Sequence, residues 1–211
     1  MILSPSLMCA NPLKLGEEVL ELKNAGADSF HIDIMDGVFV PNFALSWPEV
    51  KAVKKECEIP LEIHLMVSDL KPHIPFIKET SPRKLFVHGN VVDLLKLSNL
   101  FELEACCVAP VVNWKTSESE MQELIEHFHS FLFMRVEPGF AGQKPSQMAD
   151  FILLDFCQKF EDCTFTVDGG VSVELIAQFR QFYNVEYVLG TASIFNKDRS
   201  YKDIIEEIRK C

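Results

Sequence analysis

The chain has 211 residues, 48% hydrophobic and 24% charged, a mix that suits one globular domain with a large buried core and excludes a low-complexity chain. Its formal net charge of −11 excludes general nucleic-acid binding, which needs a basic face. No apolar run reaches the roughly 20 residues of a membrane span, Met1–Ala10 lacks the basic start of a secretory signal, and the seven cysteines form no C-x-x-C pair, so the expectation is a cytoplasmic protein with reduced, mostly buried thiols.

Short β-rich runs alternate with helical ones along the chain. Ile2–Ser6 reads as a strand, and Pro12–Ala25 as a helix with Leu15, Val19 and Leu22 at helical spacing and Gly26 as its stop. Ser29–Ile34 is a strand, and Trp47–Cys57 a helix with Pro48 in its first turn. Then follow strand Leu61–Met66 and helix Pro72–Glu79, strand Lys84–His88 and helix Val91–Leu100, strand Glu104–Ala109 and helix Ser117–His129. Strand Phe131–Arg135 leads to helix Ser146–Phe160, and strand Thr164–Val167 to helix Val173–Phe182. Val185–Leu189 is the last strand, a short helix is expected at Ser193–Asn196, and Tyr201–Lys210 closes the chain.

Eight β-then-α units in strict alternation imply a parallel sheet. Two architectures accommodate them: a doubly wound open sheet and a closed barrel. The open sheet would carry a G-x-G-x-x-G turn after its first strand, and none is present. The expectation is a single (β/α)8 TIM barrel spanning residues 1–211.

Alternate side chains of a barrel strand point inward. In Phe30–Met35, the residues His31, Asp33 and Met35 share one face; in Leu61–Met66, Glu62, His64 and Met66 do. Thr164, Thr166 and Asp168 share a face, as do Ser4 and Ser6. The opposite faces are apolar and suit packing against helices, so the polar set points into the barrel. One inward histidine alone is an ordinary hydrogen-bonded core residue. Two histidines and two aspartates near C-terminal strand ends converge on the catalytic face of such a barrel, and burying them is costly without partners or a metal. His31, Asp33, His64 and Asp168 offer two imidazoles and two carboxylates, a set suited to one divalent ion such as Zn²⁺, Fe²⁺, Mn²⁺ or Co²⁺. His73, His88, His127 and His129 receive no role in this reading.

Glycine-containing stretches follow the last three strands: Gly139–Gly142 with Phe140 and Ala141 between them, Asp168-Gly169-Gly170, and Gly190-Thr191-Ala192. Glycine lets backbone approach a ligand closely, and barrels commonly hold phosphate with the loops after strands seven and eight. An acidic chain can do so without lysine or arginine, because backbone N–H groups bind phosphate.

These segments resemble the ribulose-phosphate 3-epimerase family over nearly the whole length. The resemblance lies in Ser4–Met8 (SPSLM), His31–Asn42 (HIDIMDGVFVPN), His64–Val67 (HLMV), Pro138–Gln143 (PGFAGQ), Val167–Gly170 (VDGG) and Gly190–Phe195 (GTASIF). It implies a metal-dependent isomerase inverting C3 of a ketose phosphate through an enediolate, with His31, Asp33, His64 and Asp168 as metal ligands and Asp33 and Asp168 as the acid/base pair. It further implies that Ser6 and His64 touch substrate, that Met35, Met66 and Met134 wall the reaction centre, and that Gly139–Gly142, Gly169–Gly170 and Gly190–Ala192 clamp the phosphate. A homo-oligomer, dimer or hexamer, is expected on the same ground.

The departures from the family pattern bear on the sugar. Glu137 stands where pentose-phosphate members carry asparagine, His88-Gly89-Asn90 replaces His-Pro-Glu, and Val108-Ala109-Pro110 replaces Leu-Asn-Pro. Ser6–Cys9, Ala141 and Gly190-Thr191 look more like the allulose-6-phosphate 3-epimerase branch. Ribulose 5-phosphate is the first expectation and allulose 6-phosphate the alternative. Related decarboxylases and aldol enzymes carry Asp-x-Lys-x-x-Asp at a strand end; the residues here are His31 to Asp36 without a lysine. A non-catalytic sugar-phosphate-binding homologue would have lost a ligand or an acid, and all four are present.

Overall fold

The computed structural model describes residues 1–101, 106–195 and 198–211. Among them, eight strands alternate with eight helices: β1 Leu3–Pro5, α1 Leu15–Ala25, β2 Phe30–Met35, α2 Trp47–Cys57, β3 Leu61–Met66, α3 Ile74–Thr80, β4 Lys84–Val87, α4 Val91–Phe101, β5 Cys107–Asn113, α5 Glu118–Ile125, β6 Ser130–Met134, α6 Ala149–Lys159, β7 Thr164–Asp168, α7 Val173–Phe179, β8 Val185–Leu189 and α8 Tyr201–Lys210. The strands form one sheet in the order β1-β8-β7-β6-β5-β4-β3-β2, every neighbour parallel. A parallel bridge from Ser6 to His31 brings β1 back to β2, so the sheet closes into a (β/α)8 barrel. Across the same seam, the Arg209 Nη2 of α8 donates to Gly26 O at 2.7 Å and Asp28 Oδ2 at 2.9 Å, and Asp28 Oδ2 also accepts from Leu3 N at 2.8 Å.

Strand parity divides the core into two layers. Phe30, Ile32 and Ile34 of β2, Leu61, Ile63 and Leu65 of β3, and Phe131, Phe133, Phe165 and Val167 of β6 and β7 face the helices and join one large apolar cluster. The inward faces carry a smaller apolar layer of Phe86, Ala109, Leu132, Met134, Val136 and Val188. Beneath it lies a charged plug. Arg83 Nε donates to Glu62 Oε1 at 3.0 Å, and Arg83 Nη2 and Lys84 Nζ reach Glu186 Oε2 at 2.6 and 2.7 Å. Lys84 Nζ also donates to Thr166 Oγ1 at 3.1 Å. Burial of these charges is sustained by their mutual pairing.

Several helix ends differ from the sequence reading for local reasons. α1 begins at Leu15 rather than Pro12, because Asn11 Oδ1 accepts from Leu13 N at 3.0 Å and holds a turn there; Gly26 ends the helix at φ 97° as expected. α5 stops at Ile125, since Phe128 is buried and His129 O already accepts from Thr164 N at 2.8 Å at the edge of the sheet. α6 starts at Ala149, because Ser146 N donates to Arg135 O at 2.9 Å. The expected strand at Glu104–Ala109 falls partly outside the described residues; the described strand runs on through Pro110 to Asn113. Pro110 lacks the N–H of a ladder bond, and it sits where pairing with β4 ends and pairing with β6 begins. At the expected helix Ser193–Asn196 the chain instead makes a turn, with Ser193, Ile194 and Phe195 N all donating to Gly190 O; Asn196 lies outside the described residues. The cysteines are all described and none forms a disulfide. Among the described residues, no helix is long and apolar enough to cross a membrane.

Candidate active site and metal centre

Strand register assembles the centre. In the β2–β3 pair, Asp33 lies opposite His64 and Met35 opposite Met66. In the β6–β7 pair, Met134 lies opposite Asp168. The bridge from Ser6 to His31 adds the end of β1. One ligand atom from each of His31, Asp33, His64 and Asp168 can be chosen so that all four lie within 4.8 Å of one another, the one cluster of this kind among the described residues.

Asp33 is the hub of the cluster. Its Oδ1 lies 3.2 Å from His64 Nδ1 and 3.5 Å from His31 Nε2, and its Oδ2 accepts from Ser6 Oγ at 3.0 Å. Asp168 stands further out: its Oδ2 is 3.9 Å from His31 Nε2, while its Oδ1 accepts from Gly169 N at 2.7 Å. The Asp168 side chain is 20% exposed against 7% for Asp33, so Asp168 opens on the cleft and Asp33 sits beneath it.

The two carboxylates are set apart electrostatically. Burial works against ionisation of Asp33, but the charge of His31, together with the charge and hydrogen bond of His64, overcomes it and holds Asp33 far below the usual carboxylate range. Burial and the negative charge of Asp33 push Asp168 the other way, upward. Burial disfavours the imidazolium of His31, yet Asp33 and then Asp168 and Glu62 raise it to about 9.

The donor set fits a divalent cation. His31 is fully buried, and neither of its ring nitrogens has a hydrogen-bond partner. A buried polar atom without a partner costs about 1–3 kcal/mol, and a cation among two imidazoles and two carboxylates would satisfy it.

A cleft opens above this cluster at the C-terminal ends of the strands. It is lined by every residue given a catalytic, metal or substrate role from the sequence, Phe140 included, except His31, which is fully buried. Met35, Met66, Met134 and the Ser6 hydroxyl line its lower wall, and Gly139–Gly142, Gly169–Gly170 and Gly190–Ala192 line its rim. Among the described residues, no lysine or arginine lines it. The Gly169-Gly170 turn requires glycine twice: both residues have positive φ, 97° and 62°, and an added Cβ would lie 2.7 Å from Val136 Cγ2 and 2.6 Å from Pro145 Cγ.

Other residues that the sequence reading passed over hold this rim in place. Arg135, buried between β6 and α6, donates through Nη1 to the carbonyls of Gly169 at 3.0 Å and Gly170 at 2.8 Å and through Nε to Asp150 at 2.8 Å. Asp36 accepts from Val38 and Phe39 N at 2.8 Å and from Ser68 N at 2.6 Å, which folds the loop after β2 against the loop after β3. Asn42 Nδ2 donates to Gly139 O at 2.6 Å and joins the β2 and β6 loops across the mouth. Met8, Cys9, Glu137 and Gln143 also line the cleft. Burial, and then the charge of Asp33, raises the Cys9 thiol to about 11, so it stays protonated. His88, one residue past β4, lies with its Nε2 2.9 Å from His64 Nε2. Its signal was present in the sequence: Lys84, Phe86 and His88 alternate on the inward face.

The sequence profile described as the ribulose-phosphate 3 epimerase family matches residues 2–195. A ribulose-phosphate 3-epimerase of Bacillus subtilis strain 168 is 31% identical over 213 aligned residues, covering 98% of this chain and 97% of its own. One of Helicobacter pylori strain J99 is 30% identical over 209 residues, covering 94% and 93%. Among solved structures, a tryptophan synthase structure from Mycobacterium tuberculosis superposes with a TM-score of 0.71 at 12% identity, over 99% of this chain and 91% of that one. Phosphoribosyl anthranilate isomerase from Thermococcus kodakaraensis superposes at 0.67 with 10% identity, over 99% and 97%. At such identities the structural likeness speaks for the barrel alone.

Proposed function

Because the chain belongs to the ribulose-phosphate 3-epimerase family and is thereby an isomerase acting on carbohydrates, we propose that it inverts C3 of D-ribulose 5-phosphate to give D-xylulose 5-phosphate, with Asp33 and Asp168 as the proton-transfer pair. The observation that carries this reading is that two carboxylates from separate strands, Asp33 of β2 and Asp168 of β7, line one cleft beside two imidazoles, in surroundings that lower the pKa of Asp33 and raise that of Asp168. An ionised base and a protonated acid are what a 1,1-proton transfer requires at its start.

In the forward direction the Asp33 carboxylate takes the C3 proton. The C3–H electron pair becomes the C2–C3 double bond, and the C2 carbonyl becomes an enediolate oxygen. Asp168 then gives its proton to the opposite face of C3 as the carbonyl re-forms, leaving Asp33 protonated and Asp168 ionised. In the reverse direction the roles exchange. A divalent cation held by His31, Asp33, His64 and Asp168 (zinc, iron, manganese or cobalt) would supply Lewis-acid stabilisation of the developing negative charge. Ser6 donates to Asp33 Oδ2 and keeps that carboxylate turned toward the cleft. Met35, Met66 and Met134 present polarizable, non-acidic walls that limit water at the carbanionic carbon. The phosphate is read as held by backbone N–H groups of the glycine-bearing rim, which suits a cleft without lysine or arginine.

A second substrate has a specific observation in its favour. Cys9, Ala141 and Thr191, which carry the likeness to the allulose-6-phosphate branch, all line the cleft, so the departures lie where a sixth carbon would be felt. Side-by-side assays on D-ribulose 5-phosphate and D-allulose 6-phosphate test both readings. A kcat/KM at least tenfold higher for the pentose supports the first. The opposite ratio replaces it with the second, and no turnover of either refutes both. The resemblance also supports a cytoplasmic homo-oligomer, dimer or hexamer, which light scattering on the purified protein checks.

A further inference from the structure

We propose that His88 is a positioning residue for the metal centre: its Nε2 accepts the Nε2–H of His64 and thereby turns the lone pair of His64 Nδ1 toward the cation. This inference rests on the metal reading above and extends it to a group outside the four ligands.

His64 is fully buried and is engaged at both ends of its ring. Nδ1 faces the cluster, 3.2 Å from Asp33 Oδ1, and Nε2 lies 2.9 Å from His88 Nε2. A neutral imidazole carries one N–H. A ring that offers Nδ1 to a cation carries its proton on Nε2, and the group placed to receive that hydrogen bond is His88. His88 must then be uncharged, with its own proton on Nδ1. Phe39 packs against the His88 ring at 4.8 Å between centroids, and the two imidazoles lie 5.1 Å apart and 28° from parallel, so the acceptor is held on both sides.

The second imidazole ligand gives the contrast. His31 lies against Phe86 at 5.8 Å, and neither of its nitrogens has a hydrogen-bond partner. Of the two imidazoles, His64 is the one whose tautomer a neighbouring side chain sets. Outer partners of metal-bound histidines typically contribute ten- to hundredfold to metal affinity. Usually the partner is a carboxylate, a carbonyl or water; here it is a neutral histidine, which orients the ligand without adding negative charge to a centre that already holds two carboxylates.

The test is a titration of metal-free wild-type, His88→Ala, His88→Gln and His64→Ala proteins with Co²⁺ against a competing chelator, following the visible d–d bands. We expect His88→Ala to bind Co²⁺ about ten- to hundredfold more weakly with altered bands. His88→Gln, whose Oε1 can accept at the same place, should recover most of the affinity. His64→Ala should lose more than His88→Ala. Wild-type affinity and bands in His88→Ala would overturn the proposal while leaving the metal reading intact. Failure of the wild-type protein to bind Co²⁺ or Zn²⁺ would overturn both. Long-range ¹H–¹⁵N correlation spectra of the Zn²⁺-loaded wild type ask the question without a variant: His64 should appear as the Nε2–H tautomer and His88 as the Nδ1–H tautomer. A His88 protonated at Nε2 would refute the arrangement.

Discussion

Replacing Asp168 by asparagine separates the two proton-transfer roles with little steric change. The asparagine carbonyl can keep the 2.7 Å bond that Asp168 Oδ1 accepts from Gly169 N, so the turn after β7 should persist. The variant loses one acid/base group, which general acid–base catalysis values at about 10²–10⁴ in rate, or about 2.7–5.4 kcal/mol at 1.36 kcal/mol per decade. Stability should not fall in the metal-free protein. Asp168 is raised above its unfolded value, so its stabilising effect is fully present below the unfolded pKa and is lost as pH rises through the folded one. Burial and the repulsion of Asp33 outweigh the attraction of His31 and His64 for its charge, so removing that charge relieves a net cost. The assay is epimerisation at saturating metal, run in parallel with deuterium exchange at C3 in D₂O. We expect epimerisation to drop by about 10²–10⁴, while Asp33 still exchanges the C3 proton of D-ribulose 5-phosphate without inverting it. A turnover near that of the wild type would refute the two-carboxylate scheme, and loss of exchange along with epimerisation would show that Asp33 is not the base on that face.

Metal removal by a chelator should abolish epimerisation and lower the melting temperature, with both restored on adding Zn²⁺, Mn²⁺ or Co²⁺; a cation at 100 times its Kd stabilises by about 2.7 kcal/mol, visible in a thermal melt. Gly169→Ala should destabilise by about 1–3 kcal/mol in urea unfolding, because φ is 97° and the new Cβ meets Val136 Cγ2 at 2.7 Å. Glu186→Gln should cost about 3 kcal/mol at pH 7 by leaving Lys84 and Arg83 short of a partner. Burial resists ionisation of Glu186, but Lys84 and Arg83 outweigh it and depress its pKa, so its contribution is present above the unfolded carboxylate value and is lost as pH falls through the folded one. The gap between wild type and Glu186→Gln should therefore narrow in acid, as measured by urea unfolding at descending pH.

The alternation of side chains along β2, β3 and β7 was enough to place His31, Asp33, His64 and Asp168 on inward faces, because a strand has a period of two and its apolar side must meet the helices. The order of β-then-α units was likewise enough for a parallel sheet, since each crossover returns the chain in the same direction, and the missing G-x-G-x-x-G turn after the first strand favoured the barrel. Helix ends were less legible: whether α1 begins at Pro12 or Leu15 depends on one side chain, Asn11, capturing a backbone N–H before the helix can. The opposite pKa shifts of Asp33 and Asp168 depend on burial and on which imidazoles stand within 4 Å of each, a distance that strand register sets. Arg135 is a buried cation whose partners on the rim, Gly169 and Gly170, lie more than thirty residues away. His88 belongs to the centre because the end of β4 lies beside β3 at a height that brings two imidazole nitrogens to 2.9 Å. Patterning along the chain decides which face a residue takes, since that is a property of local geometry; which neighbour meets it there is decided when separate strands are brought into register.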